Sequence, residues 1–151
     1  MKITAVIPIR KGSQRVKDKN LRPFAETTLM EAKIDMLLRV DEIDSIVVNT
    51  NSEEAIAIVK NKYNGTKVSY HHREEYYASS QCSGSEFFKH LGVVTDTDIF
   101  IYSPCTSPFV TPQTVKDCID KFLKNPDFDC VATVSKIKEF MWENGKPLNY
   151  D

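Results

Sequence analysis

The chain has 151 residues, of which 41% are hydrophobic, and its formal net charge is −1. A chain of this size can bury a stable core without disulfides or metals. No apolar run approaches the ~18 residues that a membrane helix needs, and the first apolar run is too short for a signal peptide. We therefore expect a cytoplasmic protein with no membrane partner. The near-neutral charge also argues against a general nucleic-acid binder.

The four cysteines, Cys82, Cys105, Cys118 and Cys130, are scattered along the chain. They form no C-x-x-C pair, and no histidine stands at zinc-ligand spacing from them. We therefore expect reduced thiols rather than a zinc site.

Short β-rich runs alternate with helical patterns. In chain order, the sequence predicts strand Ile3–Ile9, helix Leu29–Val40, strand Ser45–Thr50, helix Glu53–Tyr63, strand Lys67–His71, helix Ser85–Gly92, strand Asp98–Ser103, helix Pro112–Leu123 and strand Cys130–Ser135. This alternation predicts an α/β fold with a doubly wound, mostly parallel sheet. Ser83 to Glu86 has the spacing of a capping box, and Thr111 before Pro112 is a typical helix start.

No linker or internal repeat divides the chain, so we predict one domain over residues 1–151. Its last residues, from Asn144 to Asp151, have the pattern of a turn that begins a further segment. We therefore expect the domain to be incomplete at its C-terminus.

Ligands of open α/β sheets bind beyond the carboxyl ends of the strands. Four segments are predicted to reach that edge and to line one cleft: Arg10–Asn20, Asn49–Asn51, His71–Gly84 and Ser103–Phe109. The first of these is strongly basic. Residues 1–22 contain seven Lys or Arg against a single acid, Asp18. A polyanionic ligand, small and phosphorylated, is the expected partner.

The basic loop lacks G-x-x-x-x-G-K-[ST], and its single glycine cannot supply G-x-G-x-x-G. It is therefore neither a P-loop nor a dinucleotide fingerprint. Gly12 and Ser13 can still bring backbone N–H groups close to an anion, while Arg10 and Lys19 can neutralise phosphate charge. A solvated basic turn is the alternative interpretation.

From Ala5 to Pro23 the chain reads A-V-I-P-I-R-K-G-S-Q-R-V-K-D-K-N-L-R-P. This stretch resembles the first motif of the acylneuraminate cytidylyltransferases, the CMP-sugar synthetases that join CTP to nine-carbon acidic sugars. His72 to Ala78 and Cys105 to Phe109 are similar to two later family segments, in the same order and spacing. Ile9 and Gln14 depart mildly from the first motif. The resemblance covers essentially the whole chain and implies a Rossmann-like fold of the nucleotide-diphospho-sugar transferase type.

The resemblance also implies roles for individual residues. Catalysis is assigned to Arg10 and Lys19, which would contact the CTP phosphates. Nucleotide binding is assigned to Arg10, Gly12, Ser13, Lys19, Arg73, Cys82, Ser83 and Thr106. The alignment leaves Ser83 and Gly84 as alternatives for one of these positions. Asn20 would face the incoming sugar or a phosphate.

Two departures from the family matter. Pro104 stands where many members carry a glutamine that reads the base edge, so cytosine would have to be selected by backbone groups or other side chains. The family's metal-binding aspartates and its sugar-selecting segment lie further along than position 151. We therefore expect Mg²⁺ as cofactor but assign no residue of this chain as its ligand. Asp98 opens its strand, about 17 Å from the predicted cleft at ~3.3 Å per residue.

The resemblance thus implies a nucleotidyltransferase that transfers CMP from CTP to a sialic-acid-like sugar, with homodimers expected for the full-length protein. Pseudaminate- and legionaminate-like sugars stay equally open as acceptors. Two further alternatives also stay open. One is a synthetase for another keto sugar, such as 3-deoxy-manno-octulosonate, although Lys19-Asn20 favours the sialic-acid type. The other is a non-catalytic nucleotide-binding or assembly module.

Overall fold

The computed structural model describes residues 1–12, 16–136 and 139–149. Its helices and strands follow in the order β1 (Ile3–Ile9), β2 (Pro23–Phe24), β3 (Thr27–Thr28), α1 (Leu29–Leu38), β4 (Ser45–Thr50), α2 (Glu53–Lys62), β5 (Val68–His72), α3 (Glu75–Ala78), α4 (Gly84–Val94), β6 (Ile99–Tyr102), α5 (Pro112–Lys124), β7 (Trp142–Glu143) and β8 (Lys146–Pro147). The chain divides into two compact units, Met1–Lys116 and Asp117–Asp151.

The first unit is built on a parallel sheet with the strand order β5-β4-β1-β6. Ile9 at the end of β1 lies opposite Thr50 of β4, which in turn lies opposite His72 of β5. β1 is almost continuously apolar because its residues are buried on both faces of the sheet. Such runs are typical of parallel strands covered by helices. The predicted doubly wound, mostly parallel α/β sheet is confirmed.

The strand order reverses at β1. The chain passes from β1 outward through β4 to β5, and then returns to place β6 on the other side of β1. A reversal of this kind leaves a crevice beyond the carboxyl ends of the two central strands. The fold therefore provides a ligand cleft between the loops that follow β1 and β6.

Both predicted helix starts are confirmed. The Ser83 hydroxyl accepts a hydrogen bond from the Glu86 amide, and the Glu86 carboxylate accepts one from the Ser83 amide, which completes a capping box at the start of α4. At the start of α5 the Thr111 hydroxyl accepts from the Thr114 amide, with Pro112 as the first helical residue. These contacts satisfy backbone donors that a helix leaves unpaired at its N-terminus.

The predicted strand Cys130–Ser135 is wrong. These residues have no regular structure, and all except Val131 are exposed. A strand is stabilised by backbone hydrogen bonds to a neighbouring strand and by burial of at least one face. Within the described ranges no segment pairs with residues 130–135. Their β-rich composition was therefore not sufficient to form a strand.

The second unit contains a short hairpin, β7–β8, which the sequence pattern gave only as a turn. Asn144 and Gly145 connect the two strands, and both have positive φ angles of 51° and 75°. Asn-Gly is the typical pair for a two-residue hairpin turn, because both residues tolerate the left-handed region. The predicted turn is thus confirmed.

Three further short elements were not predicted from the sequence: β2, β3 and the one-turn helix α3. In the described part of the chain, no helix has the length and apolar character needed to cross a membrane.

Candidate nucleotide-binding site

A cleft of about 320 Å³ lies at the carboxyl edge of the sheet in the first unit. Three of the four predicted segments line it, with Pro8 and Arg10 at the end of β1. The lining residues are Pro8, Arg10, Asn20, Arg73, Tyr77, Ala78, Ser79, Cys82, Ser83, Gly84, Phe87, Tyr102, Pro104, Cys105 and Thr106. The fourth segment, Asn49–Asn51, does not line the cleft. Instead, the side chains of Asn49 and Asn51 form hydrogen bonds with residues of the loops that follow β1 and β5.

Arg73 is the most unusual residue of the cleft. Only 4% of its surface is exposed, yet within the described ranges its guanidinium forms no ion pair with a carboxylate. It donates from Nη2 to the Asn49 backbone oxygen at 2.6 Å and from Nε to the Asn49 side-chain oxygen. The guanidinium also stacks 4.6 Å from the ring centroid of Phe87. Burial lowers the pKa of Arg73 to about 10, and the charge of Arg10 adds to that shift.

A buried cation without an anionic partner is costly, because neutral hydrogen-bond acceptors do not fully replace the water that a charge loses. Arg10, which is exposed, adds a second guanidinium to the same cleft. It too has no carboxylate partner among the described residues. The two charges repel each other in the absence of ligand, so an anion with several negative oxygens would relieve both penalties.

The basic loop after β1 is fastened to the two neighbouring loops through Asn51. The Asn51 side-chain oxygen accepts from the Lys11 amide at 2.8 Å. Its side-chain nitrogen donates to both carboxylate oxygens of Glu75 at 3.1 Å. One buried amide thus connects the ends of β1 and β4 with α3, which fixes the start of the basic loop relative to the loop that carries Arg73.

Asn20 lies at the other end of the basic loop. Its backbone oxygen accepts from the Met30 amide at 3.0 Å, which anchors the loop to the start of α1. The side chain lines the cleft and is 9% exposed, but its oxygen has no hydrogen-bond partner among the described residues. Because an unpaired buried acceptor costs about 1–3 kcal/mol, this oxygen is suited to receive a hydrogen bond from a ligand hydroxyl or amine.

A further part of the cleft lining comes from the residues at the start of α4. Cys82, Ser83 and Gly84 all line the cleft, so the alternative between Ser83 and Gly84 stays open. The Ser83 hydroxyl is already engaged with Glu86 in the capping box. Glu86 also accepts from the Tyr76 hydroxyl, and its bonds to Ser83 and Tyr76 lower the pKa of the carboxyl.

The loop after β6 contributes Pro104, Cys105 and Thr106. The Cys105 thiol is 1% exposed, and burial raises its pKa to about 12, so it is not a nucleophile at neutral pH. A buried lysine of α1, Lys33, donates from Nζ to the Ser107 backbone oxygen at 2.8 Å. This contact fixes the turn that presents Thr106 to the cleft.

Of the residues assigned from the sequence, the structure brings six into the cleft lining: Arg10, Asn20, Arg73, Cys82, Ser83 and Thr106. Lys19 does not line the cleft, although its charge acts on the thiol of Cys105. Gly12 is exposed in the basic loop with φ 75°, a conformation that glycine adopts without strain. Ser13 lies outside the described residues. The functional roles of all these residues stay predictions.

Sequence reasoning missed several lining residues, chiefly Phe87 and Tyr102. Phe87 belongs to an apolar stripe of α4 together with Phe88 and Leu91, and nothing in that pattern distinguishes a residue that packs under a guanidinium. Tyr102 ends β6, so its position at the carboxyl edge was a usable signal.

The described residues do not fit a metal site. Among them, no three His, Cys, Asp or Glu side chains cluster to hold an ion. Asp98 accepts from the Lys2 amide at 2.7 Å, and Asp96 pairs with the Lys2 side chain. Lys2 directly precedes β1, so both carboxylates lie at the sheet edge opposite the cleft, as predicted for Asp98.

Comparison with known families agrees with this geometry. The family model described as "Cytidylyltransferase" matches residues 4–145. The chain belongs to this family. The recognition of a cytidylyltransferase from the basic loop is thereby confirmed.

Individual relatives are about 30% identical to this chain over the residues that they match. The N-acylneuraminate cytidylyltransferase of Escherichia coli O18:K1:H7 is 29% identical over 136 residues, which are 89% of this chain and 32% of that protein. The CMP-N,N'-diacetyllegionaminic acid synthase of Legionella pneumophila is 32% identical over 124 residues, 80% of this chain and 53% of that one. The chain therefore spans about a third to a half of these relatives.

Among solved structures, a CMP:2-keto-3-deoxy-manno-octonic acid synthetase complexed with CTP superimposes with a TM-score of 0.66 at 21% identity. The match covers 83% of this chain and 49% of that structure. At this identity the likeness establishes the fold alone, which is the expected Rossmann-like nucleotidyltransferase type.

Proposed function

We propose that this chain is the CTP-binding part of a CMP-sugar synthetase that transfers CMP to a sialic-acid-like sugar. The observation that carries the proposal is Arg73, a buried guanidinium with no carboxylate partner in the described ranges, in a cleft that also contains Arg10. Such an arrangement favours a ligand with several phosphate oxygens. Family membership supports CTP as that ligand.

In the proposed reaction the anomeric hydroxyl oxygen of the sugar attacks the α-phosphorus of CTP. A new P–O bond forms, the bond to the β-phosphate breaks, pyrophosphate leaves, and the hydroxyl proton is released to solvent. Negative charge accumulates on the transferring and leaving phosphates, so positioning and charge neutralisation provide most of the catalysis. Arg10 and Arg73 would hold the phosphates, and Lys19 is expected to approach from the basic loop.

The acceptor sugar is proposed to be a nine-carbon keto acid. Two relatives named above act on such sugars according to their names, N-acylneuraminate and N,N'-diacetyllegionaminic acid. The unpaired side-chain oxygen of Asn20 would accept a hydrogen bond from a sugar hydroxyl at the cleft. A 3-deoxy-manno-octulosonate synthetase is the second candidate, since curated relatives and a solved structure carry that activity in their names.

A divalent ion, Mg²⁺ in our proposal, would assist the nucleotide chemistry. The described residues form no metal-ligand cluster, and the phosphate contacts proposed above are those of Arg10, Arg73 and Lys19. The cytoplasmic location, the single incomplete domain and the homodimer of the longer protein likewise stay predictions.

Calorimetric titration of the chain with CTP and then with ATP, both with Mg²⁺, tests the nucleotide assignment. We expect CTP to bind more tightly than ATP, and Arg10→Ala to weaken CTP binding roughly tenfold or more, as for loss of a charge-assisted hydrogen bond. Arg39→Ala, an exposed arginine at the end of α1, is the matched control. Equal binding of both nucleotides, or unchanged binding by Arg10→Ala, would contradict the proposed site.

Pyrophosphate release with CTP separates the acceptor candidates. We expect faster release with N-acetylneuraminate than with 3-deoxy-manno-octulosonate. The opposite order would favour the second candidate. The CTP-binding part alone should bind CTP and release little or no pyrophosphate, so release is measured with the full-length protein. CTP binding without any release there would favour a binding module.

A further inference from the structure

Asn49 is a buried polar residue in the last part of β4, with none of its surface exposed. Its side-chain oxygen accepts from Arg73 Nε, and its side-chain nitrogen lies 3.0 Å from His71 Nδ1. His71 belongs to β5, the neighbouring parallel strand, where it lies directly opposite Asn49. A continuous polar chain therefore connects His71, through Asn49, to the guanidinium that lines the cleft.

The donors and acceptors in this series of hydrogen bonds, from His71 through Asn49 to Arg73, can be assigned without ambiguity. A guanidinium only donates, so the oxygen of the Asn49 amide must face Arg73. The nitrogen of the same amide, which only donates, must then face His71. His71 Nδ1 is therefore an acceptor, which requires a neutral imidazole with its proton on Nε2. One protonation state of His71 is compatible with the observed orientation of Arg73.

Protonation of His71 would place two donors against each other. Asn49 could then keep its bond to Arg73 and oppose the Nδ1–H group, or rotate its amide and turn its N–H group toward Arg73. A single amide oxygen cannot satisfy both cationic partners in this geometry. Either response removes one of the two contacts that connect His71 to Arg73.

The surroundings of His71 keep it neutral. The ring of His90 from α4 packs edge-on at 5.5 Å, and Tyr77 of α3 stacks on His90 at 3.8 Å. Burial lowers the pKa of His71, and the nearby charges of Arg73 and His72 add to this, while Glu74 opposes it. His90 has a lowered pKa for the same principal reason. These groups lie on β5 and the residues that follow it, on α3 and on α4.

We propose that His71 is a positioning residue of the nucleotide site, which in its neutral form holds the Asn49 amide so that Arg73 points into the cleft. The proposal rests on the proposed function in one respect, namely that Arg73 binds the phosphates of CTP. It adds the requirement that His71, which does not line the cleft, must be neutral. CTP affinity should consequently fall when His71 becomes protonated.

Two variants of His71 separate the loss of a hydrogen-bond acceptor from the change in side-chain size. His71→Asn retains an oxygen acceptor near the position of Nδ1 but cannot be protonated. His71→Leu removes the acceptor. His72→Asn is the matched control, because His72 points away from Asn49 and pairs with Glu53. Each protein is titrated with CTP at about pH 8 and at a pH below the pKa of His71 found by NMR titration of its ring, since burial lowers that pKa from the ordinary ~6.5.

At the higher pH we expect His71→Leu to weaken CTP binding about tenfold, the factor that corresponds to one oriented hydrogen bond. His71→Asn and His72→Asn should bind within about threefold of wild type. At the lower pH wild type and His72→Asn should lose affinity relative to His71→Asn. Comparing them at the same pH cancels the titration of CTP itself. A pH dependence shared equally by His71→Asn would overturn the proposal.

A second measurement is independent of nucleotide binding. Nitrogen chemical shifts of the His71 ring should report the neutral tautomer protonated at Nε2, and the same titration gives its pKa. In Asn49→Asp a carboxylate would accept from Nδ1–H, so the pKa of His71 should rise above that of wild type. A ring protonated at Nδ1 in wild type, or a His71 pKa unchanged by Asn49→Asp, would refute the proposed relay, that is, the hydrogen bonds from His71 through Asn49 to Arg73.

The two proposals fail in different ways. If wild type binds no CTP at either pH, the proposed function fails, and the ring measurements alone decide the relay. If wild type binds CTP but His71→Leu binds equally well, the relay is wrong and the nucleotide site stands.

Discussion

Replacing Arg73 with methionine removes the buried charge of the cleft while keeping an unbranched side chain. Burial lowers the pKa of Arg73 to about 10, and at about 1.4 kcal/mol for each pKa unit the folded protein disfavours the charged form by about 3 kcal/mol. Methionine removes that penalty. It also leaves the Asn49 side-chain oxygen unpaired, at a cost of about 1–3 kcal/mol, and loses the cation–π contact with Phe87, worth about 1 kcal/mol.

These opposing quantities nearly cancel. The free energy of unfolding of Arg73→Met without ligand should therefore lie within about 2 kcal/mol of wild type. Binding should behave differently, since each hydrogen bond from a guanidinium to phosphate contributes about 1.5–3 kcal/mol. We expect CTP affinity to fall by a factor of about 10–100.

Urea denaturation with and without CTP and Mg²⁺ measures both quantities in one assay. Wild type should gain stability from the ligand, because only the folded state binds it. Arg73→Met should gain much less at the same CTP concentration. Arg39→Met, which changes an exposed arginine, should behave as wild type. Destabilisation of Arg73→Met by more than about 4 kcal/mol would mean that the guanidinium is mainly structural. An undiminished gain from CTP would refute its assignment to the phosphates.

Three further outcomes follow from the contacts. Ser83→Ala removes the capping box of α4 and should lower the free energy of unfolding by about 1 kcal/mol in urea denaturation, with Ser83→Thr as the control. Asn51→Ala frees the basic loop from Lys11 and Glu75; it should weaken CTP binding several-fold in calorimetry, and an unchanged affinity would contradict the bracing role. The pKa of His90 is lowered by burial, so the unfolded chain binds more protons below about pH 6.5 and stability should decrease as the pH falls. His90→Phe should lessen that decrease in thermal melts at about pH 5 and about pH 7, since phenylalanine cannot be protonated and keeps the ring stacked on Tyr77.

Local sequence patterns determined the framework of the fold. Continuous apolar character predicted β1 because both of its faces are buried, and the capping residues predicted the start of α4 because their hydrogen bonds are local. Local patterns failed at Cys130–Ser135, where a strand needs a partner that residues in the described ranges do not supply. Strand pairing is a non-local property, and a β-rich composition alone does not create it.

For the candidate site too, some features follow from local sequence and others only from tertiary structure. The sequence by itself determined that a basic loop follows β1 and that its motif resembles the cytidylyltransferases, because loop composition and residue spacing are local. Only the tertiary structure decided that Arg73 is buried against Phe87 and held by Asn49, and that Asn49 is in turn held by His71. These contacts join residues from different strands and helices, and burial, which changes the energy of a charge, depends on the packing of all of them.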